Sequence, residues 1–320
     1  MADALLNGSS FRSGGPGAAS TPEGHTHAVG EALSALVMFT CVGGIVGNSL
    51  VVWLLGFHRQ RGTMGIYPLH LTVADLLFLL CSAALTVLNS RSPGAQLVHL
   101  AVRGAKYLAY VAGLSLLTAA STQPCLSSLF PTWCRVRWRP HLSTLVCAVL
   151  WLLALLLTML ALCFHDEAGR PYLRPGSPVD IIFRVVPLAG FTPVMALSSM
   201  ALCVHVQRSS WPPPRRPPQL YVAILASVLV CLICTLPLGI SGFLLYWLDL
   251  PQHRETLFEH VTHLSLSVSS SAKPGIYFLL GSRGHPSLWG PLGAVLSQAL
   301  QEPELAVGAP PSTSTDQVGI

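Results

Sequence analysis

Seven stretches of the chain are long, apolar and almost free of charge. They run over Glu31–Phe57, Ile66–Asn89, Val98–Trp133, Leu142–Phe164, Val179–Gln207, Leu220–Leu248 and Phe258–Leu280. A helix rises about 1.5 Å per residue, so roughly 20 apolar residues cross the hydrocarbon of a bilayer. Without water to satisfy the backbone, such stretches must close their hydrogen bonds internally, as helices do. The pattern therefore predicts an all-α membrane fold, a seven-transmembrane-helix bundle. The third stretch carries small and hydroxyl residues through its middle: Gly113, Ser115, Thr118, Ala119, Ala120, Ser121 and Thr122. In lipid these let helices approach closely and bond across the gap, which marks this span as the central helix.

The flanks read differently. Residues 1–30 are polar and rich in Gly, Ser and Thr, and are expected to form a disordered extracellular N-terminus. Residues 31–281 form the bundle. In 282–320, the apolar spacing of Ser287–Leu300 predicts a short helix in the membrane interface, followed by a disordered cytoplasmic tail. That tail ends in hydroxyl residues, Ser312 to Thr315, open to phosphorylation or simply solvated.

Composition narrows the class. The chain is 52% hydrophobic and 10% charged, whereas soluble domains average about 25% charged. The net charge of +5 resides in short loops between apolar runs, which gives nucleic acid no footprint. Eight of the nine cysteines fall within or at the ends of apolar runs and no paired CxxC pattern occurs, so neither a zinc nor a disulfide framework is expected. With no basic start followed by an apolar core, the first span itself directs insertion.

Loop charge gives the orientation. With the N-terminus outside, the inner loops hold nine basic residues (Arg59, Arg61, Arg135, Arg137, Arg139, Arg208, Arg215, Arg216, Arg283) against five in the outer segments. Lys and Arg favour the cytosolic side, so this arrangement is the expected one. It exposes the sequon at Asn7 to glycosylation. The inner loop Ser209–Gln219 is basic and proline-rich; a rigid spacer is favoured over a PxxP docking motif.

A few polar residues stand out against this background. Asp75 lies in the middle of the second span, where a carboxylate is costly and must face the bundle interior. Asn48, Ser115 and the polar run Ser267–Lys273 are its candidate partners, and Lys273 supplies the opposite charge for an ion pair. Pro237 interrupts the sixth span and Tyr277 follows Lys273 by one helical turn. At the outer end, Arg103 and Lys106 face Asp180, with Tyr107, Tyr110, Tyr246 and Trp247 as aromatic walls. Opposed charges in a small cleft suit a zwitterion. Headgroup anchoring or a structural salt bridge accounts for the same residues. Glu259, His260 and His263 lack the HExxH spacing of a zinc site and are placed at a pocket edge or on the outer surface. No nucleophile constellation, cofactor motif or charged pore ring is present, which argues against an enzyme, a channel or a transporter.

The third span brings a resemblance. GLSLLTAASTQPCLSSLFPTW resembles the third helix of Mas-related G-protein-coupled receptors, in which Glu/Gln-Arg-Cys is followed by Leu-Phe-Pro-x-Trp. LSLLTAASTQ, FTPVMALSS, LASVLVCLICTLPL and LYWLDLP extend the likeness over nearly all of residues 33–306, most of all to the D branch of that family. The resemblance implies a receptor for β-alanine-like small amino acids, signalling through Gi and Gq heterotrimeric G proteins, with an arrestin and a second receptor as further candidate partners. It makes Asp180 the acidic pocket residue and Tyr107 the aromatic one. It also makes Asn48, Asp75 and the seventh-span polar run the place where related receptors hold water and sodium. Ala-Lys-Pro at residues 272–274 is a family spelling.

Several positions depart from the family pattern. Gln123-Pro124-Cys125 has proline in place of the arginine that meets the G protein. Gly104 stands where a ligand-facing arginine is expected, and Gly242 where the sixth helix has tryptophan. Cys163 matches one half of an outer disulfide, but Gly176 sits near the expected partner. These departures keep a second reading open: a weakly signalling or non-signalling receptor that dimerises with related receptors and modulates them.

Overall fold

The computed structural model describes residues 22–57, 66–88, 93–129, 140–167, 178–208, 219–247 and 252–282. Among them are seven helices in the expected order: α1 (Pro22–Phe57), α2 (Ile66–Val87), α3 (Pro93–Leu129), α4 (Pro140–Glu167), α5 (Pro178–Arg208), α6 (Gln219–Trp247) and α7 (Gln252–Ser282). The sequon at Asn7, the proline-rich inner loop and the interfacial helix expected at residues 287–300 lie outside the described residues.

Most of the helices outrun their apolar stretches, because a helix does not stop where hydrocarbon ends. The last residues of the segment expected to lack structure, from Pro22 on, extend α1 at its N-terminal end. Proline marks the starts. Pro22, Pro93, Pro140 and Pro178 open α1, α3, α4 and α5, while Pro218 and Pro251 immediately precede α6 and α7. The missing N–H is no loss in a first turn, and the ring fixes φ near its helical value.

Burial is inverted relative to a soluble fold. Within His141–Cys163 of α4, the most apolar 18 residues have a mean hydropathy of 2.8, yet only 17% of them are buried; the corresponding 18 residues within Gln96–Gln123 of α3, at 1.2, are 50% buried. The exposed residues of α4 include Leu145, Val149, Leu152, Leu156 and Met159, one face at steps of three and four. Such a stripe has lipid as its solvent. Five of the described helices are long and apolar enough to cross a membrane, and α5 carries a shorter apolar stretch, Leu188–Val204.

The third helix is the axis of the bundle. It packs on α2, α4, α5 and α6, and every residue from Val111 to Thr118 is buried. Its hydroxyls tie it to itself and to α5. Ser121 Oγ lies 2.9 Å from Ser198 Oγ, and Cys125 Sγ reaches the Ser198 carbonyl at 2.8 Å.

On the other side, α7 packs into α1, where Gly44 and Gly47 allow a close approach. A Cβ on Gly44 would overlap the side chains of Ser271 and Leu79, and one on Gly47 would stand 3.2 Å from Pro274. Ser271 has little room to yield, since its hydroxyl donates to the Thr40 carbonyl at 3.0 Å. Gly44→Val is therefore expected to cost about 1–3 kcal/mol through overpacking. Thermal unfolding of the purified chain in detergent checks this, with Gly43→Val as the control, because a Cβ on Gly43 meets nothing within 4 Å. Equal midpoints for the two variants would contradict the close approach.

Candidate functional site

Two polar centres lie inside the bundle, one above the other along α3. The deeper one is organised by Asp75. Burying a carboxylate requires a counter-charge and hydrogen bonds, and α7 supplies both. Lys273 Nζ lies 2.8 Å from each carboxylate oxygen, with Asp75 4% and Lys273 5% exposed. Ser270 also bonds the Asp75 carboxylate through its hydroxyl. Its backbone carbonyl accepts from Asn48 Nδ2 at 3.2 Å, and the same Nδ2 reaches the Gly44 carbonyl at 2.9 Å. One continuous polar chain thus links α1, α7 and α2. Ser115 takes another course and donates to the Ala112 carbonyl of its own helix at 3.0 Å. A small cavity of about 30 Å³ adjoins the pair, lined in part by Tyr110, Gly113, Thr235, Ser269 and Ser270. Such a space is sufficient for a water molecule.

The remaining expected core residues lie on α3, α6 and α7. Gln123 is buried near the C-terminal end of α3, and α3 continues through Pro124 to Leu129. The Tyr277 ring is buried on α7, with its hydroxyl bonded to Ser227 of α6. Pro237 is half-buried inside α6. Its missing N–H leaves the Ile233 carbonyl without its usual helical donor, one turn below the upper cavity.

The upper cavity encloses about 540 Å³. Its lining comes from the first halves of α1, α3 and α7 and the second halves of α2, α4 and α6, which is the bundle end at which α1 starts. From α3 come His99, Arg103, Gly104, Lys106, Tyr107 and Tyr110, and from α7 Glu259, His260, Thr262, His263 and Leu266. Both sets follow helical steps of three and four, so each is one face of its helix. Lys106 Nζ lies 2.6 Å from His263 Nδ1 and 5.3 Å from the centroid of the Phe78 ring on α2. An ammonium can only donate, so Nδ1 accepts and His263 is neutral with its proton on Nε2.

The structure brings together Arg103, Lys106, Tyr107 and Tyr110 as the sequence placed them, and adds to them a group the sequence put at an edge. Glu259, His260 and His263 form a wall of the cavity itself. The described lining comes from α1, α2, α3, α4, α6 and α7. Asp180 belongs to α5 and Trp247 to α6, but their side chains lie outside the described residues. Gly104 faces the cavity where its missing side chain leaves room against Leu162; a Cβ there would stand 3.4 Å from Leu162 Cδ1. Cys163 is an exposed free thiol. No group of three or more metal-ligating side chains occurs among the described residues.

This fold and its two stacked polar centres define a class, and comparison with known proteins bears on the same point. The family model "7 transmembrane receptor (rhodopsin family)" matches residues 47–174. The chain is 48% identical over 296 residues to Mas-related G-protein coupled receptor member D of Macaca fascicularis, covering 92% of each chain. It is 47% identical over 291 residues to the Homo sapiens member D, covering 90% of this chain and 91% of that one. The match to member X1 of Rattus norvegicus is 36% over 277 residues, covering 84% of both. The molecule is a seven-transmembrane receptor of the rhodopsin type and not an enzyme. It belongs to the Mas-related G-protein-coupled receptor family, which makes it a multi-pass plasma-membrane protein with a ligand and a G protein as partners.

Proposed function

We propose that the chain is a receptor for a small extracellular amine or amino acid of the β-alanine type, oriented with its N-terminus outside. It signals to heterotrimeric G proteins of the Gi and Gq classes. The observation that carries this reading is the upper cavity. Its volume falls in the range of small-molecule sites, roughly 300–1,000 Å³, and it joins cations (Arg103, Lys106) to a carboxylate (Glu259) within one space. A zwitterion needs both. Phe78, Tyr110 and Leu266 line both this cavity and the small one beside Asp75 and Lys273, and Leu238 follows Pro237 in the upper wall. Ligand contact there reaches the deeper polar centre and the proline of α6, through which α6 shifts and opens the inner face. Asp180, by resemblance, adds a second carboxylate.

The test is G-protein activation by β-alanine in cells with matched surface levels of the wild type and Lys106→Ala. The wild type is expected to respond. The variant is expected to need about tenfold or more β-alanine, the usual loss for a charge-assisted hydrogen bond. Silence of the wild type at confirmed surface expression counts against the reading.

Gln123-Pro124-Cys125 favours a second reading, since the arginine of the family pattern is missing there. In that case the chain signals weakly or not at all, pairs with a related receptor and alters its output. Normal surface expression, absent coupling and changed signalling of a co-expressed relative would separate the two.

A further inference from the structure

Most buried hydroxyls of the bundle spend their proton on the carbonyl three or four residues back. Thr72, Thr118, Thr158, Ser227 and Thr235 all do so at 2.7–2.9 Å. Helical backbone always offers that acceptor, so a buried Ser or Thr that declines it is unusual. Ser82 on α2 and Thr262 on α7 are two such residues. They are 3% and 4% exposed, their hydroxyls have no hydrogen-bond partner, and both line the upper cavity.

Their neighbours give the vacancy a sign. Phe78 lies one turn before Ser82 on α2, and Lys106 stands over its ring at 5.3 Å. His263 follows Thr262 directly and bonds Lys106 at 2.6 Å. The two unsatisfied hydroxyls therefore flank the residues that hold one ammonium in place. Each can turn its proton by rotating about the C–O bond, and a hydroxyl proton aimed at the same point as an ammonium selects an anion.

We infer that Ser82, Thr262 and Lys106 form an oxyanion subsite on the α2–α7 side of the cavity, which seats the carboxylate of a short ω-amino acid. The inference rests on the proposal that this cavity takes the extracellular ligand, and it sharpens that proposal. The carboxylate end goes toward α2 and α7, and the ammonium end toward the Glu259 carboxylate. Arg103, one turn outward on α3, helps draw the anion in. Gly104 fits the same arrangement, because a glycine beside Arg103 and Lys106 contributes space and leaves recognition of the anion to the α2–α7 side.

Thermal unfolding of the purified full chain in detergent tests the subsite. Three probes are used: β-alanine, propionate (no ammonium) and β-alaninamide (no carboxylate). The variant is Ser82→Ala with Thr262→Val. The changes remove hydroxyls that bond nothing, so its unliganded midpoint is expected to equal or exceed the wild type's; a clear drop would show the hydroxyls already satisfied and overturn the inference. In the wild type, β-alanine and propionate raise the midpoint. In the variant they need about tenfold higher concentration for the same rise, while β-alaninamide acts alike on both. Equal action of β-alanine and propionate on both proteins removes the subsite. Stabilisation by β-alaninamide alone also removes it and leaves a receptor for small amines. If none of the three stabilises the wild type, the ligand reading falls together with the subsite.

Discussion

Lys273→Met is expected to be the most damaging single change in the bundle, and adding Asp75→Asn is expected to rescue most of the loss. The reason is an asymmetry in the energetics of buried charge. Forming the pair costs desolvation on both sides, so its net contribution is small. Removing one partner leaves the other charge buried and uncompensated, at about 3–5 kcal/mol. Asp75 sits within a low-dielectric span, with Lys273 Nζ at 2.8 Å from both oxygens and Ser270 as a further hydrogen-bond donor. Thermal unfolding in detergent and surface level in cells measure the effect. The double variant is neutral at both positions and should recover toward the wild type. A double variant as unstable as the single would show that packing by the lysine stem matters more than its charge.

Lys273→Asn asks a finer question at the same place. It shortens the side chain and returns an uncompensated carboxylate to a polar cavity lined by Ser269, Ser270 and Thr235. Sodium chloride, compared with choline chloride, should then raise the unfolding midpoint of Lys273→Asn and leave the wild type unmoved. In the native chain the ammonium already does what the cation would do.

How far these centres were legible depends on the kind of information each requires. The spans were legible because charge is so costly in hydrocarbon that its absence marks them directly. The same cost singled out Asp75 and Lys273: two opposite charges in two different spans have few alternatives to each other. Helix starts were less legible, since α1, α3, α4 and α5 begin at prolines 22, 93, 140 and 178, ahead of the apolar stretches that alone marked the spans. The cavity wall on α7 was hidden for another reason. Glu259, Thr262, His263 and Leu266 have the three-and-four spacing of one helix face, and that much the chain displays. Whether the face points at α3 or at lipid depends on the rotation and depth of α7 in the bundle, which close packing at Gly44 and Gly47 fixes from the opposite side. One sequence shows a stripe; its mutual register with Lys106 is a tertiary fact. Unsatisfied hydroxyls at Ser82 and Thr262 belong to the same category, because in sequence they are ordinary span residues.

Pro124→Arg is expected to raise ligand-dependent G-protein activation about tenfold or more at matched surface level, and Pro124→Ala is expected to raise only stability. The two substitutions separate the two things proline does at this position. Its missing N–H leaves the Ala120 carbonyl without a helical donor, a defect worth about 3 kcal/mol in a soluble helix and less where neighbouring helices compensate. Nearby ties are in place: Ser121 and Cys125 both bond Ser198 of α5, which holds the inner end of α3 on its neighbour across the proline. Alanine restores the N–H and nothing else. Arginine restores the N–H and adds a guanidinium, whose charge-assisted bonds to a G protein account for the expected gain. If alanine and arginine raise activation equally, the helix defect itself limits coupling and the guanidinium is dispensable. If only arginine does, the outer cavity was competent all along and the chain lacks a single inner contact. And if the wild type already activates as strongly as the arginine variant, coupling runs through other inner residues, and the reading of a silent partner receptor loses the observation that favoured it.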